Sequence, residues 1–170
     1  MQEKPFSVDA GESVALHHIS GNMVELEITI DPGQAKRFGV KVFCSKDGTE
    51  QTPILIDRTK NILQIDMQKS GLNHPVYEEF AMAFASPDPK HNPVIFTEDA
   101  PFSLMSGEKV HLRVFLDKSI LEVFANGRQC ITQVLYPTLP DAVNIQVFAE
   151  DAPIRAEVIT GWKLFPAMQW

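Results

Sequence analysis

The run from Val110 to Pro137, V-H-L-R-V-F-L-D-K-S-I-L-E-V-F-A-N-G-R-Q-C-I-T-Q-V-L-Y-P, constrains the fold of this chain more than any other stretch. Val110, Leu112, Val114 and Leu116 alternate with His111, Arg113 and Phe115, the period of two that marks a strand with one buried face. Asp117-Lys118 reads as a turn and Ser119 to Ala125 as a second strand rich in β-branched and aromatic residues. Asn126-Gly127 then reads as a type I′ hairpin turn into a third strand, Arg128 to Tyr136. With two-residue loops at both turns, Leu116 is expected opposite Ser119, Val114 opposite Leu121, Leu112 opposite Val123 and Val110 opposite Ala125. Cys130, Thr132 and Val134 then continue this apolar inner face. The outer face carries His111, Arg113, Phe115, Ile120, Glu122, Phe124, Gln129, Ile131 and Gln133, with Arg113 directly across from Glu122 as a structural pair.

The same grammar extends over the chain. Residues 1–12 read as a tail or the remnant of a linker, and 13–170 as a single domain. Ser13 to Ser20 is a candidate strand. Met23 to Ile30 alternates cleanly, with Val24, Leu26, Ile28 and Ile30 inward, until Asp31-Pro32-Gly33 breaks it. Phe38 to Ser45 is a further strand, and Pro53 to Asp57 with Asn61 to Met67 forms a hairpin whose Ile54, Ile56, Leu63 and Ile65 share a face. From about Gln68 to Pro93 the pattern is lost among prolines and polar residues, which marks a long loop, with Glu78 to Ala85 as a short element inside it. Val94 to Phe96 and Phe102 to Met105 lead into the central hairpins, and Val143 to Ala149 and Ile154 to Phe165 close the chain. Helical periodicity is absent, so about ten to twelve short strands imply an all-β sandwich or barrel.

A formal charge of -7, with 15 Lys and Arg among 170 residues, argues against a nucleic-acid or anionic-membrane partner, and no run approaches the ~20 apolar residues of a membrane span. Cys44 and Cys130 have no metal-site spacing; they read as buried free thiols, Cys130 facing inward, with a disulfide as the alternative. Adjacent His17 and His18 point to opposite faces if on a strand, and His74 and His91 flank the long loop without a telling partner, so no metal or other cofactor is expected.

The segment from Leu112 to Pro137 resembles the signature of the C-terminal β-sandwich domain of glycoside hydrolase family 32, the β-fructosidases: invertases, levanases, inulinases and sucrose-6-phosphate hydrolases. M-V-E-L-E-I-T-I-D-P and F-G-V-K-V-F-C-S-K-D-G-T-E resemble the start of that domain, and the likeness runs from about Met23 to Phe165. It implies an antiparallel two-sheet β-sandwich of the concanavalin A-like, lectin-like jelly-roll kind. It also implies a missing N-terminal five-bladed propeller that holds the chemistry for sucrose or fructan cleavage. The cellular compartment is left open, because it depends on that missing part.

Retaining glycosidases need two carboxyl groups roughly 5–5.5 Å apart. In the family these lie in Asn-Asp-Pro-Asn-Gly and Glu-Cys motifs, with a third carboxyl in Arg-Asp-Pro. Here Asp31-Pro32-Gly33 follows Ile30 and lacks the second Asn, Asp88-Pro89 follows Pro87 where Arg belongs, and no Glu-Cys occurs. Asp117 sits in a turn and Glu122 well along a strand. No catalytic residue is therefore assigned, and the chain is expected to be inactive alone. Sugar contact is the other expectation, through exposed aromatic faces, with Trp162, Tyr77 and Phe124 as candidates and Trp170 beside them. The outer face around Phe115, Ile120, Phe124 and Ile131 is apolar enough to need a cover: the second sheet's flank, the propeller, or another subunit in a homo-oligomer.

Overall fold

A computed structural model describes residues 1–72, 75–77 and 93–165; Glu78 to Ala85, His74, His91, Asp88-Pro89 and Trp170 lie outside the described residues. Thirteen strands form two antiparallel sheets that stack as a sandwich, with no helix among the described residues. They are β1 (Gln2–Glu3), β2 (Phe6–Val8), β3 (Ser13–Ala15), β4 (Met23–Asp31), β5 (Arg37–Cys44), β6 (Thr52–Asp57) and β7 (Ile62–Asp66), then β8 (Thr97–Pro101), β9 (Val110–Asp117), β10 (Ile120–Ala125), β11 (Gln129–Val134), β12 (Asn144–Ala149) and β13 (Ile154–Lys163). One sheet runs β1-β13-β4-β9-β10-β11, with β2 also on β13; the other runs β3-β12-β5-β6-β7-β8. The count exceeds ten to twelve because strands of two and three residues are too short to show a period.

The core is what the alternation dictates. Val24, Leu26, Ile28 and Ile30 of β4, Val110, Leu112, Val114 and Leu116 of β9, and Leu121, Val123 and Ala125 of β10 are all buried. Across the sandwich they meet Ile54 and Ile56 of β6 and Leu63 and Ile65 of β7, one buried set. Each of these valine, leucine and isoleucine side chains contributes about 1.5–3 kcal/mol by leaving water.

The two central turns differ from expectation in different ways. The first lies one residue later, at Lys118-Ser119, so that Asp117 faces Ile120 and Leu116 faces Leu121. Neighbours pin it there: the Lys118 N–H donates to the Asn22 carbonyl at 2.6 Å, the Leu135 N–H donates to the Ser119 carbonyl at 2.7 Å, and Lys118 takes φ 56°. This register is shifted by two residues, so the faces survive but the partners change. Arg113 stands opposite Phe124, and Glu122 opposite Phe115; the expected Arg113–Glu122 pairing is corrected.

The second turn has three residues, Asn126-Gly127-Arg128, with Ala125 opposite Gln129. One extra residue inverts a strand. Ile131 is buried, whereas Cys130, Thr132 and Val134 are exposed, the reverse of the expected faces for β11. Arg128 is held outside the ladder by Glu108 at 2.5 and 2.9 Å and by the Ser103 carbonyl at 2.7 Å. Asn126 donates to Glu108 at 2.7 Å and accepts from the His111 N–H at 2.6 Å. The Arg128 bond, helped by the Met105 N–H and the Asn126 amide, holds the Glu108 carboxyl down at about 2.

Both cysteines are free thiols, and they separate cleanly. Burial pushes the Cys44 thiol up to about 12, while Cys130 is open to solvent. A thiol-reactive dye on the folded chain should label Cys130 and spare Cys44, and label both after denaturation. Protection of Cys130 in the folded chain would restore the two-residue loop.

Residues 1–12 are not a tail. β1 and β2 pair with β13, Val8 lies in the core, and the Gly11 N–H donates to the Ala149 carbonyl at 2.9 Å. The expected strand from Ser13 to Ser20 shortens to β3; Leu16 and Ile19 after it are buried, with His17 and His18 exposed in a bend. The acidic T-E-D-A-P of β8 forms an exposed edge strand, where charge and proline block further pairing.

Candidate functional site

Three surfaces offer chemistry. The first is the outer face of the seven-stranded sheet, where cross-strand pairing sets out two parallel rows. One runs Trp162, Glu25, Phe115, Glu122, Thr132; the next runs Thr160, Glu27, Arg113, Phe124, Cys130. Arg113 Nη2 lies 2.6 Å from Glu25 Oε1, and its Nε lies 3.7 Å from Glu27 Oε1. Its guanidinium also stands 5.0 Å from the centre of the Phe115 ring, which meets Phe124 edge-on at 6.0 Å. Glu122, deprived of the arginine, accepts from Thr132 Oγ1 at 3.4 Å. The structural pair on this face is therefore Arg113 with Glu25, a half-exposed ion pair contributing no more than about 1 kcal/mol.

The sugar-contact candidates do not gather in one place. Trp162 and Phe124 are 43% and 37% exposed on this face, but β4 and β9 lie between their strands, a separation of about 14 Å. Tyr77 is half-buried at the stem of the long loop, bridged to Val94 next to the other sheet. Asp117 stands opposite Ile120, one step along the outer face from Glu122. Asp31 serves its turn, accepting from the Gly33 N–H at 3.1 Å. Among the described residues no group of three or more His, Cys, Asp or Glu is placed to hold a metal.

The second surface is a groove of about 350 Å³ on the outer face of the six-stranded sheet. Phe148, Leu55 and Gln64 line its floor, in one cross-strand row that passes through Gly39. Lys41 lies over the Phe148 ring, 5.2 Å from its centre, and donates to Ser13 Oγ at 3.1 Å. The aromatic face is thus already covered. Arg37 at the rim is tied to Asp57 and Glu150.

The third is a depression of about 580 Å³ at one end of the sandwich, between the Lys118-Ser119 turn and the segment from Leu135 to Val143. Its wall is fixed from behind by a residue that sequence reasoning passed over. Glu50, fully buried, accepts from the backbone N–H groups of Leu72 at 3.1 Å, Thr138 at 2.8 Å and Leu139 at 2.8 Å. Beside it the buried hydroxyls of Thr52 and Ser70 bond at 2.7 Å. Glu50 ends the D-G-T-E segment, whose polar composition carries no sign of burial; only its place in the family-like run could have drawn attention to it.

The family model described as "Glycosyl hydrolases family 32 C terminal" matches residues 2–163. The chain belongs to this family. The match takes in β1 and β2, in keeping with their place in the sandwich. The levanase of Bacillus subtilis (strain 168) is 30% identical over 158 residues, 87% of this chain and 20% of that protein. The acid beta-fructofuranosidase of Vicia faba is 29% identical over 164 residues, 89% of this chain and 23% of that protein. Family 32 domains thus occupy only part of longer proteins, and this chain spans less than a quarter of the length of these two curated relatives. Among solved structures, the fructosyltransferase from A. japonicus superposes with a TM-score of 0.73 at 16% identity, over 97% of this chain and 26% of that one. At that identity the likeness establishes the sandwich fold.

Proposed function

We propose that this domain holds and orients a family 32 catalytic domain, a five-bladed propeller in the same parent protein, and that the parent cleaves β-fructosyl bonds of sucrose or fructans. The observation that carries this is the family match from residue 2 to 163 of a chain that spans about a fifth of the levanase. The surface best suited to carry the catalytic domain is the outer face of the seven-stranded sheet. Ile120, Phe124 and Val134 are exposed together on β10 and β11, and Trp162 is exposed on β13 beyond the Arg113–Glu25 pair, so the face offers apolar anchors on either side of a charged strip.

The direct test is release of sugar from sucrose, levan and inulin. The chain alone should release none, and adding it should lengthen the half-life of the parent's separately produced catalytic domain at elevated temperature. Turnover by this chain alone, abolished by substituting one of its carboxyl residues, would sink the proposal.

A further inference from the structure

We infer that Asn126-Gly127 is a site of self-modification, where the asparagine loses its amide to become aspartyl or isoaspartyl, and that a clasp built on Glu108 holds the reaction shut while the turn is folded. It is the one Asn-Gly pair in the sequence. A following glycine leaves the backbone nitrogen open to close approach. Among the described residues, chain neighbours aside, nothing lies within 4 Å of where a Cβ at Gly127 would be. The pair forms the turn between β10 and β11 with Gly127 exposed, so water reaches it.

The chemistry needs water alone. The Gly127 nitrogen attacks Asn126 Cγ, the new C–N bond closes a succinimide ring, and the bond from Cγ to Nδ2 breaks. Nδ2 leaves as ammonia with the proton that the Gly127 nitrogen gives up. Water then opens the ring at either carbonyl, leaving aspartate or the isomer whose main chain runs through the side-chain carbon. No atom is oxidised or reduced. The attack requires the side chain to turn Cγ onto the Gly127 nitrogen.

The structure ties that side chain elsewhere. Oδ1 accepts from the His111 N–H at 2.6 Å, and Nδ2 donates to Glu108 Oε1 at 2.7 Å and to the Lys109 carbonyl at 3.0 Å. All three partners belong to β9 or to the two residues that lead into it. Glu108 is itself fixed, by two guanidinium nitrogens of Arg128 and by the Met105 N–H at 2.9 Å. Arg128 is steadied in turn over the Phe102 ring, 4.9 Å from its centre. Attack therefore waits on a local opening that breaks these bonds together. The product resists reclosing: an aspartate at 126 sets a second carboxylate against Glu108 where an N–H donated, and the isoaspartyl form lengthens the backbone of a three-residue turn. This turn joins the strands that carry Ile120, Phe124 and Val134. Loosening of the apolar anchors follows only under the docking reading above, whereas the modification itself does not depend on it.

The test uses the intact chain without a catalytic domain, incubated at neutral pH, with peptide mapping that separates asparaginyl, aspartyl and isoaspartyl forms at residue 126. The folded chain should react more slowly than the same chain in urea, by about tenfold or more. Glu108→Ala should quicken the folded reaction by about tenfold, the effect on an opening equilibrium of losing a charge-assisted hydrogen bond. Glu50→Ala, which weakens the domain at its other end, controls for global unfolding and should leave the rate at Asn126 close to that of the unaltered chain. Circular dichroism reports whether each variant is folded, and the comparison with urea needs no variant. No reaction at Asn126 in urea, equal rates in the folded and denatured chain, a folded Glu108→Ala chain that is no faster, or equal gains in Glu108→Ala and Glu50→Ala would each overturn the inference.

Discussion

Replacing Gly39 by alanine is expected to destabilise the domain by more than about 3 kcal/mol, at the severe end of what one added methyl can do. Gly39 sits in β5, between Phe148 of β12 and Leu55 of β6. A Cβ there would lie 2.0 Å from the Ile54 carbonyl oxygen and 3.1 Å from its carbon. Both are backbone atoms of a paired strand, so nothing flexible can step aside, and β5 must part from β6 to admit the methyl group. The two strands sit in the middle of their sheet, and the loss should appear as a large fall in the urea midpoint. Gly107→Ala is the matched control: its Cβ meets nothing within 4 Å, and only its φ of 75° is strained. That change should cost about 1 kcal/mol. Equal effects of the two would show that β5 and β6 are not as closely paired as described.

Glu50→Ala should destabilise by about 2–3 kcal/mol, because it takes the acceptor from the part-buried backbone N–H groups of Thr138 and Leu139 and leaves that of Leu72 with Thr138 Oγ1 alone. Its effect has a shape as well as a size. Hydrogen exchange should quicken at Leu72, Thr138 and Leu139, whose N–H groups Glu50 holds. The core amides of β9 and β10 should lose protection only as far as global stability falls. Glu50→Gln keeps one accepting oxygen and should fall between the two. Unchanged exchange at residues 138 and 139 in Glu50→Ala would mean that the end depression is shaped by something other than this side chain.

How much of this was legible in the sequence depended on the range over which each feature is decided. The inner faces of β4, β9 and β10 follow from a period of two, which needs only neighbours a few residues apart, and the shared face expected of Ile54, Ile56, Leu63 and Ile65 is kept, with Ile56 opposite Leu63 across the turn. Loop length is the weak point. Asn-Gly opens a two-residue or a three-residue turn equally well, and the choice was made by Glu108, which pulls Arg128 out of the ladder and so turns Cys130 outward and Ile131 inward. β1 and β2 were too short to read as strands until β13 lay beside them.

The site was less legible for the same reason. Arg113 finds its carboxyl partner 88 residues away in Glu25, on a strand brought alongside by the sheet order rather than by a hairpin. Glu50 reaches amides 22 and 88 residues distant. Trp162 and Phe124 were recognisable as exposed aromatics, but their separation by two intervening strands is a matter of strand order, which alternation does not encode.

The measurement that tests the central claim most directly is the association of this chain with the separately produced catalytic domain of its parent, followed by hydrogen exchange on the mixture. The account expects a stable complex, slowed exchange along β9, β10 and β13, and at least a tenfold weaker complex for the Trp162→Ala, Phe124→Ala double variant, both positions being exposed and so removable without unfolding. No association, or association that the double variant leaves unchanged, would contradict it.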